Sequence, residues 1–539
     1  MAKYDVVIIG AGVNGLLAGA YLSKAGLKVL LVEKRYEAGG GLATEEVTWP
    51  GFLSNTHAVY MMMVDYAPAY NDFEIERKYD VRHVYPSLQV AMPLADGRSL
   101  CLYSDVEKTC RSIAQFSQKD AAAYAEMSAN FGRFVAEFLA PATYVPPVPA
   151  IEQAVKLELT ELGRDLSAYS EKSPQAIVDG LFENEHVRTL MLYLACHWGL
   201  PYDVEGVGYL VPLYINRAVN TRMVVGGSHR ISQAFTKVIL ENGGAMMTTT
   251  LVKRIIVDGG SARGIELTDG TVIEANRAVV SSLDPHQTFL KLVGEKILGQ
   301  EFAEKIRGWI WEDWSLFQVD VALEESPNFL AARGNPDVNN ALMYVLGYES
   351  VDELIHHFDA MAAGQVVEGA GFNLCFPTLH DPTQAPPGQH VGVISQMAAY
   401  NLKEGADRWW KVRKTLPEKL LATLRRYAPN VTDDKLMGTV YATSPLDIEN
   451  KFNNMVQGSI KQGKYHPLQM GFLRPNEDCS DGRTPVKNLY LCGACIHPGG
   501  LVLLGSGYLA AGAVADDLGV ARWWTEPAYV QEARANGLL

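Results

Sequence analysis

The feature that most constrains the fold is a set of three glycines between a strand and a helix near the start of the chain. Residues 4–9 are a β-branched apolar run, typical of a buried parallel strand, and Gly10-x-Gly12-x-x-Gly15 follows at once. Helix-forming residues come next, and a second apolar strand occupies residues 28–33. This order predicts a βαβ unit with the glycine turn at its ligand-binding edge.

Each glycine in this spacing has a physical reason. Gly10 permits the tight turn, Gly12 lets a pyrophosphate approach the backbone, and Gly15 lets the helix pack closely on the strand. Glu33 ends the second strand, 21 residues beyond Gly12. A carboxylate at this position accepts hydrogen bonds from a ribose 2′-hydroxyl and repels a 2′-phosphate. The pattern therefore predicts a dinucleotide site, and NAD-binding and FAD-binding proteins share it.

A second glycine cluster bears on which dinucleotide is bound. Gly39, Gly40 and Gly41 come just after the second strand. Backbone without side chains there would let the phosphates or the ribityl chain of a flavin approach, and a plain loop is the other interpretation. The chain has one GxGxxG spacing and no redox CxxxxC beyond the first βαβ unit. Both features weigh against an NAD(P)H-dependent disulphide reductase.

Composition excludes several other classes. The formal net charge of −14 argues against sequence-unspecific nucleic-acid binding, which requires Lys and Arg to neutralise phosphates. Seven cysteines, an odd number spread thinly along the chain, indicate reduced thiols and a cytoplasmic location. The 12 histidines show no regular ligand spacing, so we expect no metal site.

The sequence favours a protein that is soluble or at most peripherally attached to a membrane. It has no pattern of a secretory signal and no uninterrupted run of 18 apolar residues. Residues 131–150 are unusually apolar and rich in proline. They would form either a lid or membrane-dipping segment, or a buried helix that ends in a rigid loop. Peripheral membrane contact and the oligomeric state therefore stay open.

The arrangement of patterns along the chain predicts two domains. Short strands punctuated by turns over residues 243–283 indicate a β-meander, and a strand, a glycine loop and a helix recur near the C-terminus. We predict an α/β fold with a Rossmann-like FAD-binding domain, built from a parallel sheet and the meander, and a discontinuous α+β substrate domain. The FAD-binding domain takes residues 1–89, 218–284 and 440–539, and the substrate domain takes residues 90–217 and 285–439.

Three separated segments resemble one known family. They are residues 5–60, which include Pro50-Gly51-Phe52 and His57; residues 226–255, which include Gly226-Gly227-Ser228; and residues 489–507, LYLCGACIHPGGLVLLGSG. In this order they are similar to the FAD segments of the FAD-dependent phytoene desaturase-like oxidoreductases. These enzymes are relatives of the amine oxidases and include carotenoid desaturases and retinol saturase.

The resemblance implies non-covalently bound FAD. It places the backbone of Val252 against adenine, Gly493 at the flavin-binding position, and Gly500 in the loop that closes over the isoalloxazine. Many relatives have an Arg where this chain has Gly41, so one contact of the family pattern is in doubt here.

Two cysteines in the C-terminal motif leave two interpretations open. Cys492 and Cys495 form a CxxC spacing, which suits either a redox dithiol or two small side chains that pack in the core.

The resemblance also implies the reaction. We expect dehydrogenation, or desaturation, of a small hydrophobic substrate by hydride transfer to flavin N5, with a protein base or water removing the proton. Oxygen or a quinone then reoxidises the flavin. His57 and His497 are the candidate catalytic histidines. A flavin amine oxidase of the same fold is the alternative, and a flavin-bearing interaction protein without turnover is a further one.

Overall fold

The structure is a computed structural model that describes residues 3–539. Its strands are β1 Tyr4–Ile9, β2 Val29–Val32, β3 Thr44–Glu45, β4 Ser54–Asn55, β5 His83–Val84, β6 Leu88–Pro93, β7 Ser99–Tyr103, β8 Met223–Val224, β9 Ala245–Met247, β10 Val252–Asp258, β11 Ser261–Leu267, β12 Val272–Ser281, β13 Ser315–Leu323, β14 Met343–Leu346, β15 Phe372–Cys375, β16 His390–Ala398, β17 Leu436–Thr443 and β18 Leu489–Leu491.

Its α-helices are α1 Val13–Lys24, α2 Pro68–Asp72, α3 Ile75–Tyr79, α4 Val106–Ile113, α5 Gln118–Phe134, α6 Ala140–Thr143, α7 Ala150–Glu158, α8 Glu161–Ser170, α9 Pro174–Leu181, α10 Glu185–Cys196, α11 Val211–Ala218, α12 His229–Glu241, α13 Glu295–Leu298, α14 Gln300–Arg307, α15 Val351–Ala362, α16 Trp409–Val412, α17 Leu416–Tyr427, α18 Pro445–Phe452, α19 Gly505–Asp517 and α20 Ala528–Ala535. A π-helical turn, Val135–Leu139, joins α5 to α6.

The first large sheet has a parallel part and an antiparallel part. Strands β9, β2, β1, β12 and β18 lie side by side and run parallel. Strand β12 is long enough to extend beyond β1, and its first half pairs antiparallel with β11, which in turn pairs with β10. The parallel sheet with an attached β-meander confirms the predicted Rossmann-like architecture. The parallel strands are almost wholly apolar because helices cover both of their faces.

The second large sheet has the order β17-β13-β16-β15-β14-β6-β7. Its pairs are antiparallel except for β14 with β6, which run parallel. Strands from distant parts of the chain thus meet in one mixed sheet, as the predicted fold class requires. The predicted domain limits at 89/90 and 439/440 fall inside β6 and β17, and the division into domains otherwise stays a prediction.

The apolar segment at residues 131–150 is mostly packed inside the molecule. Phe131, Phe134 and Phe138 are buried, and the Tyr144 hydroxyl donates to the Leu503 carbonyl at 3.0 Å. Among residues 3–539, no helix has both the length and the apolar character that crossing a bilayer requires.

Helix α1 is held against α19 by a close backbone contact. A Cβ on Gly507 would lie 2.5 Å from the carbonyl oxygen of Asn14 and 3.1 Å from the Cβ of Leu17. Glycine therefore lets the two helices approach more closely than any other residue would. This contact matters for function because Asn14 also lines the largest cavity.

We expect Gly507→Ala to lower the free energy of unfolding by about 1–3 kcal/mol, because the added methyl group meets backbone that has no room to move. Gly132→Ala is the matched control, since it also lies inside a helix but its Cβ would meet nothing within 4 Å. Chemical denaturation followed by circular dichroism measures both. Equal stability of the two variants would contradict the close-packing argument.

Candidate functional site

A cavity of roughly 1460 Å³, its open mouth included, lies between the two sheets. One wall comes from the carboxyl ends of parallel strands in the first sheet, where Gly12, Ser282 and Gly493 follow β1, β12 and β18. The opposite wall comes from the second sheet, through residues such as Leu316 and Val393. Ligands of open α/β sheets bind outside the carboxyl ends of the strands, so the cavity is the candidate active site.

The first glycine turn leaves open space at only one of its three glycines. Gly10 has φ +89°, and a Cβ there would lie 2.4 Å from the Ser282 hydroxyl oxygen. A Cβ on Gly15 would lie 2.2 Å from the Gly10 carbonyl oxygen. A Cβ on Gly12, in contrast, would meet nothing within 4 Å. Gly10 and Gly15 are thus required by the protein itself, whereas Gly12 faces space that a ligand can use.

The Glu33 carboxylate is fixed at the side of this turn. It accepts hydrogen bonds from the backbone N–H groups of Ala11, at 2.7 Å, and Arg35, at 2.8 Å. A carboxylate has further lone pairs, so the group can still accept hydrogen bonds from a ligand. The Glu33 carbonyl accepts from the N–H of Thr250, which brings the start of β10 and Val252 to the same edge. Val252 itself lies outside the cavity wall.

The second glycine cluster folds onto the first. The N–H of Gly39 donates to the Ala11 carbonyl at 2.8 Å, and a Cβ on Gly40 would lie 3.1 Å from the Cα of Gly12. Gly40 and Gly41 both line the cavity. Two glycine segments that are separate in sequence therefore form one continuous, side-chain-free surface.

The C-terminal motif supplies the next part of the wall through Gly493 and the loop at Gly500. The loop continues through Leu501 and Val502, which line the cavity with φ values of +64° and +56°. A positive φ is rare outside glycine and is an outlier for a β-branched residue. Such strain is typical of binding and catalytic sites, where the surrounding packing maintains it.

Buried charges support this wall from behind. The Arg474 guanidinium is fully buried and donates to the carbonyls of Ala494, at 2.9 Å, and Lys461, at 2.8 Å. Lys461 pairs with Glu312, and its ammonium also donates to the Trp198 carbonyl at 2.9 Å. These contacts fix backbone on both sides of the cavity, while none of the described lining residues is Asp, Glu, Lys or Arg.

The two candidate histidines have different surroundings. His57 lines the cavity, stands edge-on to Phe452, and has no hydrogen-bond partner for its Nε2 among the described residues. Burial, together with Lys451 and Arg35, holds its pKa well below the usual 6.5. His497 is absent from the described cavity wall, and its Nε2 donates to the Ala142 carbonyl at 2.8 Å. The geometry gives His497 an anchoring contact, and its predicted catalytic role has no further support.

The two cysteines of the C-terminal motif are buried as free thiols. Cys492 packs in the cluster on the side of α1 and α19, whereas Cys495 packs in the cluster on the opposite face of the sheet. Burial raises the pKa of both, to about 12 for Cys495. A buried thiol that stays protonated is a poor nucleophile, so the packing interpretation is the better one.

Sequence analysis missed the polar residues on the second sheet and at the end of α10. His197, Gln318, Asn373 and Ser395 all line the cavity and are buried. The available signal was a polar residue within an otherwise apolar strand, as in residues 315–323. The pattern alone does not tell which polar residues of distant strands face the same space.

Asp320 is a further buried polar residue on this sheet. It follows Gln318 on the same face of β13, and neither of its carboxyl oxygens has a hydrogen-bond partner among residues 3–539. Burial raises its pKa to about 8, against the opposing effect of Lys451. The group is therefore a neutral acid at physiological pH.

We expect Asp320→Asn to change how stability depends on pH. The folded wild-type carboxyl keeps its proton up to about pH 8, whereas an unfolded carboxyl loses it near pH 4, so its contribution is full below pH 4 and is lost as the pH rises toward 8. The loss amounts to about 1.4 kcal/mol per pH unit. The variant lacks this term and should gain on wild type across that window. Denaturation at several pH values checks it, with the exposed Asp258→Asn as control; parallel curves would refute it.

Comparisons with known structures define the class of protein. Cyclohexylamine oxidase from Brevibacterium oxydans superposes with a TM-score of 0.58 at 17% identity, over 96% of this chain and 100% of that one. The NAD(P)-binding Rossmann-like domain matches residues 8–75. The fold is therefore that of the dinucleotide-binding oxidoreductases with the amine oxidase architecture.

Sequence relatives define the family. A limonene dehydrogenase polypeptide from Castellaniella defragrans is 39% identical over 99% of this chain and 98% of its own length. A lycopene-forming phytoene desaturase from a Paracoccus species is 25% identical over 96% of this chain and 98% of its own. The chain belongs to the phytoene desaturase-like FAD oxidoreductases, which confirms the predicted family and the assignment as an enzyme.

Proposed function

We propose that the chain is a FAD-dependent dehydrogenase that desaturates a small, neutral, hydrophobic substrate. The observation that carries the proposal is one cavity with two kinds of wall. The side-chain-free surface of Gly12, Gly40 and Gly41 forms one wall, and largely apolar residues of the second sheet form the other. A dinucleotide on the first wall would bring its reactive end to a substrate held on the second.

The residues present fit FAD. Buried polar atoms without a protein partner are costly unless a ligand or water satisfies them. Around the cavity, the Oδ1 of Asn14 and the Nε2 of His57 are of this kind. Each can exchange hydrogen bonds with a polar cofactor. The Glu33 carboxylate, held beside the glycine turn, suits a ribose without a 2′-phosphate.

The residues proposed to hold FAD fall into three groups. The first glycine turn and Glu33 would bind the pyrophosphate and ribose, the start of β10 would border the adenine, and the C-terminal motif would border the flavin. They are Gly10, Gly12, Gly15, Glu33, Gly39, Gly40, Gly41, Val252, Gly493 and Gly500. Binding would be non-covalent, because the two cysteines of the last motif are buried in separate clusters.

When bound, FAD supplies the hydride acceptor. The protein's own contribution is to hold the substrate carbon at the flavin and to exclude water with apolar side chains. His57 would contribute as a neutral hydrogen-bonding group. The cations Lys451 and Arg35 disfavour its protonated form, so it is a weak base and is better suited to orienting a ligand than to removing its proton. We propose oxygen or a quinone as the final electron acceptor.

Gly12→Ala should fold normally but bind FAD on the order of tenfold more weakly, because the methyl group enters the space proposed for the pyrophosphate. The backbone of Gly12, at φ −66° and ψ 169°, is allowed for alanine. Absorbance of bound flavin after dialysis measures the affinity, and circular dichroism checks the fold. Gly180→Ala, on helix α9 with open space around its Cβ, is the control. Unchanged flavin binding in Gly12→Ala would contradict the proposed site.

The reaction itself is tested by mixing the FAD-loaded protein with candidate substrates in the absence of oxygen. We expect an alicyclic or terpenoid compound to bleach the flavin absorbance and to leave a product with one more double bond, detected by mass spectrometry. Matched primary amines should leave the flavin oxidised, since no carboxylate lines the described cavity wall. Bleaching by amines alone would indicate an amine oxidase. Bleaching by no compound would indicate a protein without turnover.

A further inference from the structure

Three polar side chains form a row across the second sheet. Gln318 on β13 pairs with Ser395 on β16, and Ser395 pairs with Asn373 on β15. Residues directly opposite on neighbouring strands point to the same face, about 5 Å apart. All three line the cavity and are at least 92% buried, with exposures of 1%, 8% and 6%. We call Gln318, Ser395 and Asn373 the polar row.

The polar row has hydrogen-bonding capacity that the protein does not use. The Asn373 amide donates to the Tyr193 hydroxyl at 2.8 Å, which leaves its carbonyl oxygen free. Within residues 3–539, the Gln318 amide and the Ser395 hydroxyl make no hydrogen bond to another protein group. Buried polar groups are normally satisfied, so these side chains point to a ligand that hydrogen-bonds with them.

His197 adds a group that can only accept. It stacks on Tyr193, with ring centroids 4.9 Å apart, and so lies next to the end of the polar row that Asn373 occupies. Its Nδ1 is 3.0 Å from the Tyr193 carbonyl oxygen, which cannot donate, so Nδ1 carries the proton. Its Nε2 therefore presents a lone pair, and this buried atom has no partner among the described residues. Burial lowers the pKa of His197 to about 4, so the ring stays neutral.

The rest of the described wall restricts the ligand further. It contains no carboxylate, ammonium or guanidinium group that could neutralise a charged ligand. Leu316, Val393 and Trp198 surround the polar groups with apolar surface. The ligand must therefore be neutral and mainly apolar, with a polar group at one end.

We propose that the substrate is an alicyclic or terpenoid alcohol, whose hydroxyl donates to His197 Nε2 and accepts a hydrogen bond from the polar row. This inference rests on the proposed dehydrogenase function and names its substrate class. A hydroxyl both donates and accepts, so it satisfies this site better than a ketone, which only accepts. A plain hydrocarbon leaves all four side chains unsatisfied.

The test compares three probes that share one ring skeleton: 4-isopropylcyclohexanol, 4-isopropylcyclohexanone and isopropylcyclohexane. Isothermal titration calorimetry of the FAD-loaded protein measures the binding of each. We expect the alcohol to bind about 100-fold more tightly than the hydrocarbon, because sites built to hydrogen-bond a hydroxyl reject analogues that lack it. The ketone should fall between them. Equal binding of alcohol and hydrocarbon, or of alcohol and ketone, would overturn the proposal.

Variants locate the effect. Ser395→Ala, Gln318→Met and His197→Phe should each reduce the preference for the alcohol at least about tenfold while the hydrocarbon binds as before. Thr443→Val is the matched control, because Thr443 pairs with Gln318 in the same register but lies outside the described cavity wall. An equal change in the control would overturn the assignment to the polar row.

The two proposals fail in different ways. Calorimetry needs no turnover, so selective binding of the alcohol would support the polar row even if no probe bleached the flavin. In that case the dehydrogenase proposal alone would fail. Conversely, bleaching by the hydrocarbon with equal binding of all probes would leave the dehydrogenase and remove the polar anchor.

Discussion

The architecture depends on backbone segments that approach each other more closely than any Cβ would permit. Gly15 lies against the Gly10 carbonyl, Gly507 against Asn14, and Gly493 against the Ser282 carbonyl. Through these contacts α1, α19 and the ends of β12 and β18 converge on one edge of the first sheet. Gly12 and the neighbouring glycine loop are left as the exposed part of this arrangement. The same close packing that stabilises the domain therefore also produces the surface that a dinucleotide needs.

Charge is kept one layer behind the cavity. Lys461 and Arg474 are fully buried, yet they are directed at Glu312 and at backbone carbonyls rather than at the cavity. Buried cations are costly unless they are paired and hydrogen-bonded, and here that requirement fixes the backbone of the wall. The cavity itself presents neutral groups only, in the described part of the chain. This combination suits a reaction in which a neutral, mainly apolar molecule must be held without water.

The sequence predicted the local motifs far better than the polar groups of the site. The βαβ unit, the meander and the family followed from short-range spacing, because glycine turns and strand patterns are set within a few residues. His57 and His497 were equivalent candidates in sequence, and only the fold separates them, since His57 lines the cavity whereas His497 donates to Ala142. No local signal distinguishes a histidine that faces a cavity from one that anchors a helix.

By itself, the sequence determined the glycine turns, the position of Glu33 and the parallel strands that carry them, since each depends on residues close together in the chain. The tertiary structure alone decided that Gln318, Asn373, Ser395 and His197 share one cavity. These residues come from three strands and a helix end, and they meet only through the register of the second sheet. Register is set by long-range pairing, and a shift of one residue would turn each polar side chain to the other face.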